Sequence, residues 1–102
     1  MDVSVIIPVY NAERFVREAV ESALAQEETA EIILVEDGSP DNCWDICQLL
    51  AVQHAKITAI RHADRKNHGA GASRNLGIRN SHCEYVAFLD ADDLYLPNRF
   101  AV

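Results

Sequence analysis

A chain of 102 residues, 49% of them apolar, is long enough to enclose one hydrophobic core and too short for two ordinary domains. Its formal charge of −7 argues against a surface built for non-specific nucleic-acid binding, which calls for an excess of Lys and Arg. No apolar stretch approaches membrane-spanning length, and Met1-Asp2 leads straight into apolar residues without a basic leader, so a cytoplasmic protein is expected.

Val3 to Val9 is β-branched and apolar almost throughout, as befits a central strand covered on both faces. Pro8, which lacks an amide donor, marks its end. Asn11 is expected to cap a helix in which Val16, Ala19, Val20 and Ala23 recur at helical spacing, down to about Gln26. Glu31 to Val35 is a second strand, ending in Glu36-Asp37-Gly38. Ser39 followed by Pro40 predicts an N-cap and first helical residue, after which Cys43, Ile46, Cys47 and Leu50 make an apolar stripe. The 3 cysteines match no zinc spacing, and Cys43 and Cys47, four apart, suit buried free thiols on one helix face.

Ile57 to Ile60 predicts a short third strand running into a polar loop, Arg61 to His68, with several basic groups in an otherwise acidic chain. Gly69-Ala70-Gly71-Ala72-Ser73 opens a helix carrying Arg74, Asn75, Leu76 and Ile78. Glu84 to Leu89 is the fourth strand, and Pro97 begins a further helix. Between these last two stands Asp90-Ala91-Asp92-Asp93. Asp90 and Asp92 would share one side of a continuing strand, and a bend at small Ala91 brings backbone close to a ligand. Hard oxygen ligands at that spacing suit Mg2+ or Mn2+; taken alone, the stretch also reads as a solvated acidic turn.

The alternation of strands and helices implies an α/β fold, a Rossmann-like parallel sheet of about four strands with helices on both faces. Ligands in such sheets bind beyond the carboxyl ends of the strands. That rule gathers Pro8-Val9-Tyr10-Asn11, Glu36-Asp37-Gly38-Ser39, the Arg61 to Gly69 loop and the acidic tip on one rim.

Four stretches in this order resemble the inverting, family-two type of nucleotide-sugar glycosyltransferase with its A-type fold. They are Val5-Ile6-Ile7-Pro8-Val9-Tyr10-Asn11, Val35-Glu36-Asp37-Gly38-Ser39, Gly71-Ala72-Ser73-Arg74-Asn75-Leu76-Gly77 and Phe88-Leu89-Asp90-Ala91-Asp92-Asp93, and the likeness spans nearly the whole chain. The resemblance implies the donor half of that fold, with Pro8, Val9, Tyr10 and Asp37 holding the nucleobase of a nucleoside-diphosphate sugar, a UDP-sugar above all. Tyr10 can stack on a ring, and Asp37 can accept the imide proton of uracil, which cytosine lacks. Asn67 belongs to a loop, with Arg65, Lys66 and His68, that can close over phosphate, and Arg74 is assigned to charge balance near the diphosphate. Asp92 is the best candidate ligand for Mn2+ or Mg2+, with Asp90 supporting ribose or metal and Ala91 giving backbone access.

The resemblance further implies that the general base and the acceptor-binding half lie beyond Val102, so residues 1–102 are expected to be a truncated nucleotide-sugar-binding domain, inactive alone. The acceptor, whether saccharide, lipid-linked saccharide or protein, stays open, as does a place at the inner face of the membrane, where many enzymes of this kind build surface polysaccharides. Exposed apolar surface at the cut helix is expected to favour self-association. Two departures are local: Glu36 stands where the family often has Asp, and Cys83 where Gly is common. A non-catalytic nucleotide- or partner-binding fragment is the alternative. A phosphate-accepting receiver domain is disfavoured, because Pro8-Val9-Tyr10 and Arg61-His62-Ala63 stand where its aspartates belong.

Overall fold

The computed structural model describes residues 1–100, in which strands and helices alternate along the chain. They are β1 (Val3–Val9), α1 (Val16–Leu24), β2 (Thr29–Glu36), α2 (Cys43–Gln53), β3 (Ile57–Arg61), α3 (Ala70–Arg79) and β4 (Tyr85–Phe88). The four strands are parallel and lie in the order β3-β2-β1-β4, as the α/β reading expects. Travel across the sheet therefore runs one way from β1 to β3 and reverses on the way to β4.

That reversal decides where the helices sit. Right-handed crossovers put a helix on a face set by the direction of travel, so α1 and α2 share one face and α3 takes the other. The side chains sort accordingly, because successive residues of a strand point to opposite faces. Val3, Val5, Ile7 and Val9 of β1, with Ile32 and Leu34 of β2, pack against Val16, Ala19, Val20 and Ala23 of α1 and Cys43, Cys47 and Leu50 of α2. Ile6, Ile33 and Val35 form the other face with Leu76 of α3. Full burial of each Val, Ile or Leu side chain among them contributes about 1.5–3 kcal/mol. On the α3 side Gly77 permits close approach: a Cβ there would lie 2.5 Å from Cγ2 of Ile6.

Cys43 and Cys47 are free and buried on one face of α2, as their spacing predicts. Burial pushes the thiols up to about 11 and about 12, so both stay protonated and inert at neutral pH. Among the described residues no helix is long and apolar enough to cross a membrane.

Helix starts depart most from expectation. Asn11 does not cap α1; its backbone is left-handed, with φ at 51°, a conformation asparagine tolerates, and a turn from Ala12 leads into the helix at Val16. Ser39 and Pro40 likewise precede rather than start α2, which begins at Cys43. The Ser39 hydroxyl is committed to Asp41, and Asp41 Oδ1 receives the Cys43 amide at 3.1 Å, so the acid takes over the capping role. Burial works to raise the Asp41 pKa, but hydrogen bonds from Cys43, Ser39 and the Glu13 amide outweigh it and hold the group at about 2. β4 is two residues shorter than the Glu84 to Leu89 expectation, although the Leu89 amide still reaches the Ile6 carbonyl at 3.1 Å. From Pro97 to Phe100 the chain turns, and the rest of the helix expected there lies outside the described residues.

At the amino end of the sheet, Glu31 fastens the connection between α3 and β4. Its Oε1 accepts from the Ser4 hydroxyl at 2.6 Å and from the His82 amide, while the Cys83 amide donates to Ser4 Oγ at 3.2 Å. Burial alone would raise the Glu31 pKa; the bonds from Ser4 and His82 overcome it and leave the carboxyl below the usual glutamate value of 4.5. A depressed folded pKa adds stability above the unfolded value that is lost as pH falls through the folded one. Glu31→Gln is therefore expected to lower stability at neutral pH and flatten the acid limb below about pH 4.5; a pH series of urea melts reads both, and parallel acid limbs would refute the assignment.

Candidate functional site

With β2 on one side of β1 and β4 on the other, a crevice opens beyond the carboxyl ends of β1 and β4, where sheets of this kind take their ligands. A cavity of about 380 Å³ fills it. The β1–α1 connection contributes Pro8, Tyr10, Asn11, Ala12 and Phe15, and the segment after β4 contributes Asp90, Ala91 and Asp92. Asp37, after β2, and Asn67, Gly69 and Ala70, before and at the start of α3, complete the lining. Seven of the residues named from sequence thus meet at one cavity: Pro8, Tyr10, Asp37, Asn67, Asp90, Ala91 and Asp92.

Val9 and Arg74 do not. The Val9 side chain is wholly buried in the core, and only its carbonyl serves the rim, accepting the Asp37 amide at 2.9 Å. Alternation along β1 turns Pro8 to one face and Val9 to the other, so the two cannot both line the cavity. Arg74 lies beyond Asp90, in a neighbouring hollow of about 630 Å³, with a guanidinium nitrogen 3.7 Å from Asp90 Oδ1 and its carbon 5.9 Å from the Phe88 ring centre. Phe15, by contrast, was missed. It is 49% exposed beside the half-exposed Tyr10, and the only sequence signal was an aromatic residue just ahead of a stripe that did not need it.

Asp37 organises the wall between β2 and α3. Its side chain is buried, and its Oδ1 accepts the His68 amide at 2.8 Å with His62 Nε2 3.2 Å away. Oδ2 accepts Asn67 Nδ2 and the Gly69 amide, each at 3.0 Å. Three hydrogen bonds, with the His62 ring nitrogen close to Oδ1, leave little of the four or so lone-pair sites of the carboxylate open. The imide-accepting role expected of Asp37 thus requires the His62 contact or one of these donors to give way, and the Asn67 amide nitrogen is spent on Asp37 itself, side chain and carbonyl. The loop comes so close that glycine is needed at position 38: φ is 67°, and a Cβ would lie 2.4 Å from the Asn67 nitrogen. His62, to which the sequence assigned nothing, also sits 3.0 Å from the Ser73 hydroxyl, and its ring meets that of His68 at 4.4 Å.

Two further bonds tie the first two rim loops together: the Asn11 amide donates to Ser39 Oγ at 2.8 Å and the Glu13 amide to Asp41 Oδ2 at 3.2 Å. At the acidic tip the Asp93 amide closes a turn on the Asp90 carbonyl at 3.0 Å. Asp90 and Asp92 line the cavity while Asp93 faces the neighbouring hollow. Among the described residues no three His, Cys, Asp or Glu side chains converge to hold an ion unaided. Two exposed carboxylates on one cavity do fit Mg2+ or Mn2+, which bind through one or two carboxylates and complete their shell with water and phosphate oxygens.

Sheet order, helix placement and the position of the acid pair define the amino-terminal portion of a glycosyltransferase A-type fold. The family model for glycosyl transferase family 2 matches residues 4–102, and the chain belongs to that family. An uncharacterized glycosyltransferase of Rickettsia felis is 45% identical over 101 residues, covering 98% of this chain and 16% of the relative. The crystal structure of S. aureus TarS 1-349 in complex with UDP-GlcNAc superposes with a TM-score of 0.78 at 29% identity, over 92% of this chain and 27% of that one. The mannosyltransferase PcManGT of Pyrobaculum calidifontis, in complex with GDP-Man and Mn2+, gives 0.81 at 25% identity, over 95% of this chain and 29% of that one. The chain therefore spans less than a third of each of these chains.

Asp37→Asn replaces two acceptor oxygens by one oxygen and an amide that faces donors. Stranding two buried donors costs about 1–3 kcal/mol each at most, part of which the loop recovers by opening to water. The expected result is faster hydrogen exchange at the His68 and Gly69 amides with β1 and β2 amides still protected; unchanged exchange at both loop amides would show that Asp37 does not hold the wall.

Proposed function

We propose that the chain binds a nucleoside-diphosphate sugar, with UDP as the nucleotide, as the donor-binding part of an inverting, metal-dependent transfer to an acceptor hydroxyl. The observation that carries this reading is the single cavity joining Tyr10, Asp37 and Asn67 to the Asp90 and Asp92 pair. Family membership, and solved relatives that hold UDP-GlcNAc or GDP-Man, support it. Tyr10 presents a half-exposed ring on which a base can stack. The imide of uracil takes the place of the longest contact to Asp37, that of His62, which keeps Ser73 as an alternative partner. Guanine carries a comparable ring N–H and cytosine does not.

At the other end of the cavity Asp92, with Asp90, would hold Mn2+ or Mg2+, and a bound cation supplies charge neutralisation to a departing diphosphate. Arg74, beside Asp90, adds a fixed positive charge on the same flank. The general base and the acceptor surface are assigned to parts of the whole enzyme outside residues 1–102, so this chain is proposed to bind donor without transferring sugar at an enzyme-like rate.

Two measurements test this. With Mn2+ present, UDP is expected to raise the melting temperature more than CDP does, because a ligand of the folded state stabilises by mass action; equal shifts would remove the base-reading role of Asp37. Asp92→Asn swaps an anionic oxygen for a neutral amide and is expected to weaken Mn2+-dependent UDP binding at least about tenfold, or about 1.4 kcal/mol. Glu18→Gln, an exposed change of equal charge on α1, is the control. Equal binding by the two variants in calorimetry would reduce the acidic tip to a solvated turn.

A further inference from the structure

The buried stripe of α1 continues into two polar side chains that the apolar core does not require. Ser22 and Gln26 stand one helical turn apart, and Gln26, just past the end of the helix, is only 4% exposed. A buried amide needs its hydrogen bonds, and Gln26 finds them far away in sequence. Its Nε2 donates to the Leu96 carbonyl at 3.0 Å, and its Oε1 accepts the Arg99 amide at 2.9 Å. Ser22 Oγ accepts the Tyr95 amide at 3.0 Å while donating to the Ala19 carbonyl at 2.7 Å. Three bonds thus fasten the segment from Tyr95 to Arg99, which follows the acidic tip directly and contains no strand or helix. Tyr95 closes the circuit, its hydroxyl donating to the Phe88 carbonyl at 2.6 Å. The tip is therefore held on one side by β4 and on the other by α1.

We infer that Ser22 and Gln26 are positioning residues for the paired aspartates, acting through the backbone from Tyr95 to Arg99. The inference rests on reading the cavity as a nucleotide and metal site. A cation shared between Asp90, Asp92 and phosphate oxygens needs both carboxylates held to within about 0.5 Å of a working geometry. The β1–β4 pairing of Val3 to Ile6 with Tyr85 to Phe88, closed by the Leu89 amide on the Ile6 carbonyl, holds the amino side of the tip and leaves its carboxyl side in need of a second support. Ser22 and Gln26 supply it as groups behind metal ligands generally do, by fixing what the ligands hang from.

The test titrates UDP into the 102-residue chain with and without Mn2+, for wild type, Ser22→Ala, Ser22→Thr and Gln26→Leu, with amide hydrogen exchange on the same samples. Ser22→Ala and Gln26→Leu are expected to weaken Mn2+-dependent UDP binding about tenfold to a hundredfold and to leave metal-free UDP binding unchanged. Exchange should quicken at Tyr95 and Arg99 while β1 and β2 amides stay protected, and Ser22→Thr, which keeps the hydroxyl, should behave as wild type. Wild-type Mn2+-dependent binding in both variants, despite faster exchange at Tyr95 and Arg99, overturns the inference. So does loss of binding with and without metal alongside loss of strand protection, which marks general damage. Wild type lacking any Mn2+-dependent UDP binding overturns the proposed function, and this inference with it, before a variant is made.

Discussion

Everything at the rim depends on β1 being paired on both edges by strands that reach it from opposite directions of travel. Parallel pairing with β2 along its length and with β4 over Val3 to Ile6 makes β1 a central strand covered on both faces, which is why its residues, Ser4 apart, are apolar on both sides. The β4 register also stops short of the end of β1, so the chain leaves β4 beside Ile6 while β1 continues to Val9. The stagger leaves room for a cavity between the two tips. A sheet that added strands in one direction only would have no such reversal and no comparable crevice.

β2 carries the second constraint, one acid at each end. At its carboxyl end Asp37 gathers the loop before α3; at its amino end Glu31 gathers the loop after it. α3 lies alone on its face of the sheet and packs on a small apolar patch, with Gly77 pressed against Ile6. Hydrophobic contact gives that helix less purchase than α1 and α2 receive, and the two carboxylates make up the difference by fixing its flanking connections. The same arrangement makes the cavity wall an extension of the fold: Asn67 and Gly69 stand where they do because a buried charge had to be satisfied.

The order and type of elements could be read from residue pattern because apolar periodicity reports burial directly: β1, the stripe of α1 and the Cys43 to Leu50 stripe of α2 stand close to where periodicity puts them. Helix starts could not. Asn11 and Ser39 are good caps by residue type, but their positions were set by bonds to each other's loops, 28 residues apart, which no local window contains. The rim was legible as a set of strand ends, since topology alone brings those together. Which residue faces the cavity was not, as Val9 and Phe15 show; that depends on pleat, stagger and helix placement. Gln26 and His62 were silent for the same reason, their partners lying on other elements.

The acidic tip poses a last electrostatic question, namely what keeps it in place in a chain of charge −7. The Arg74–Asp90 pair is the obvious answer and an inadequate one. At 3.7 Å, with side chains 39% and 64% exposed, it contributes about 1 kcal/mol at most and less in salt. Like charges on Asp90, Asp92 and Asp93, within four residues of one another, do nothing to hold the tip together. Neutral hydrogen bonds from Ser22 and Gln26 avoid both difficulties: they are insensitive to salt and spend no carboxylate lone pair. Anchoring the tip through backbone amides and a carbonyl thus leaves the charges of Asp90 and Asp92 available to whatever enters the cavity, a division of labour that a salt-bridged tip would forfeit.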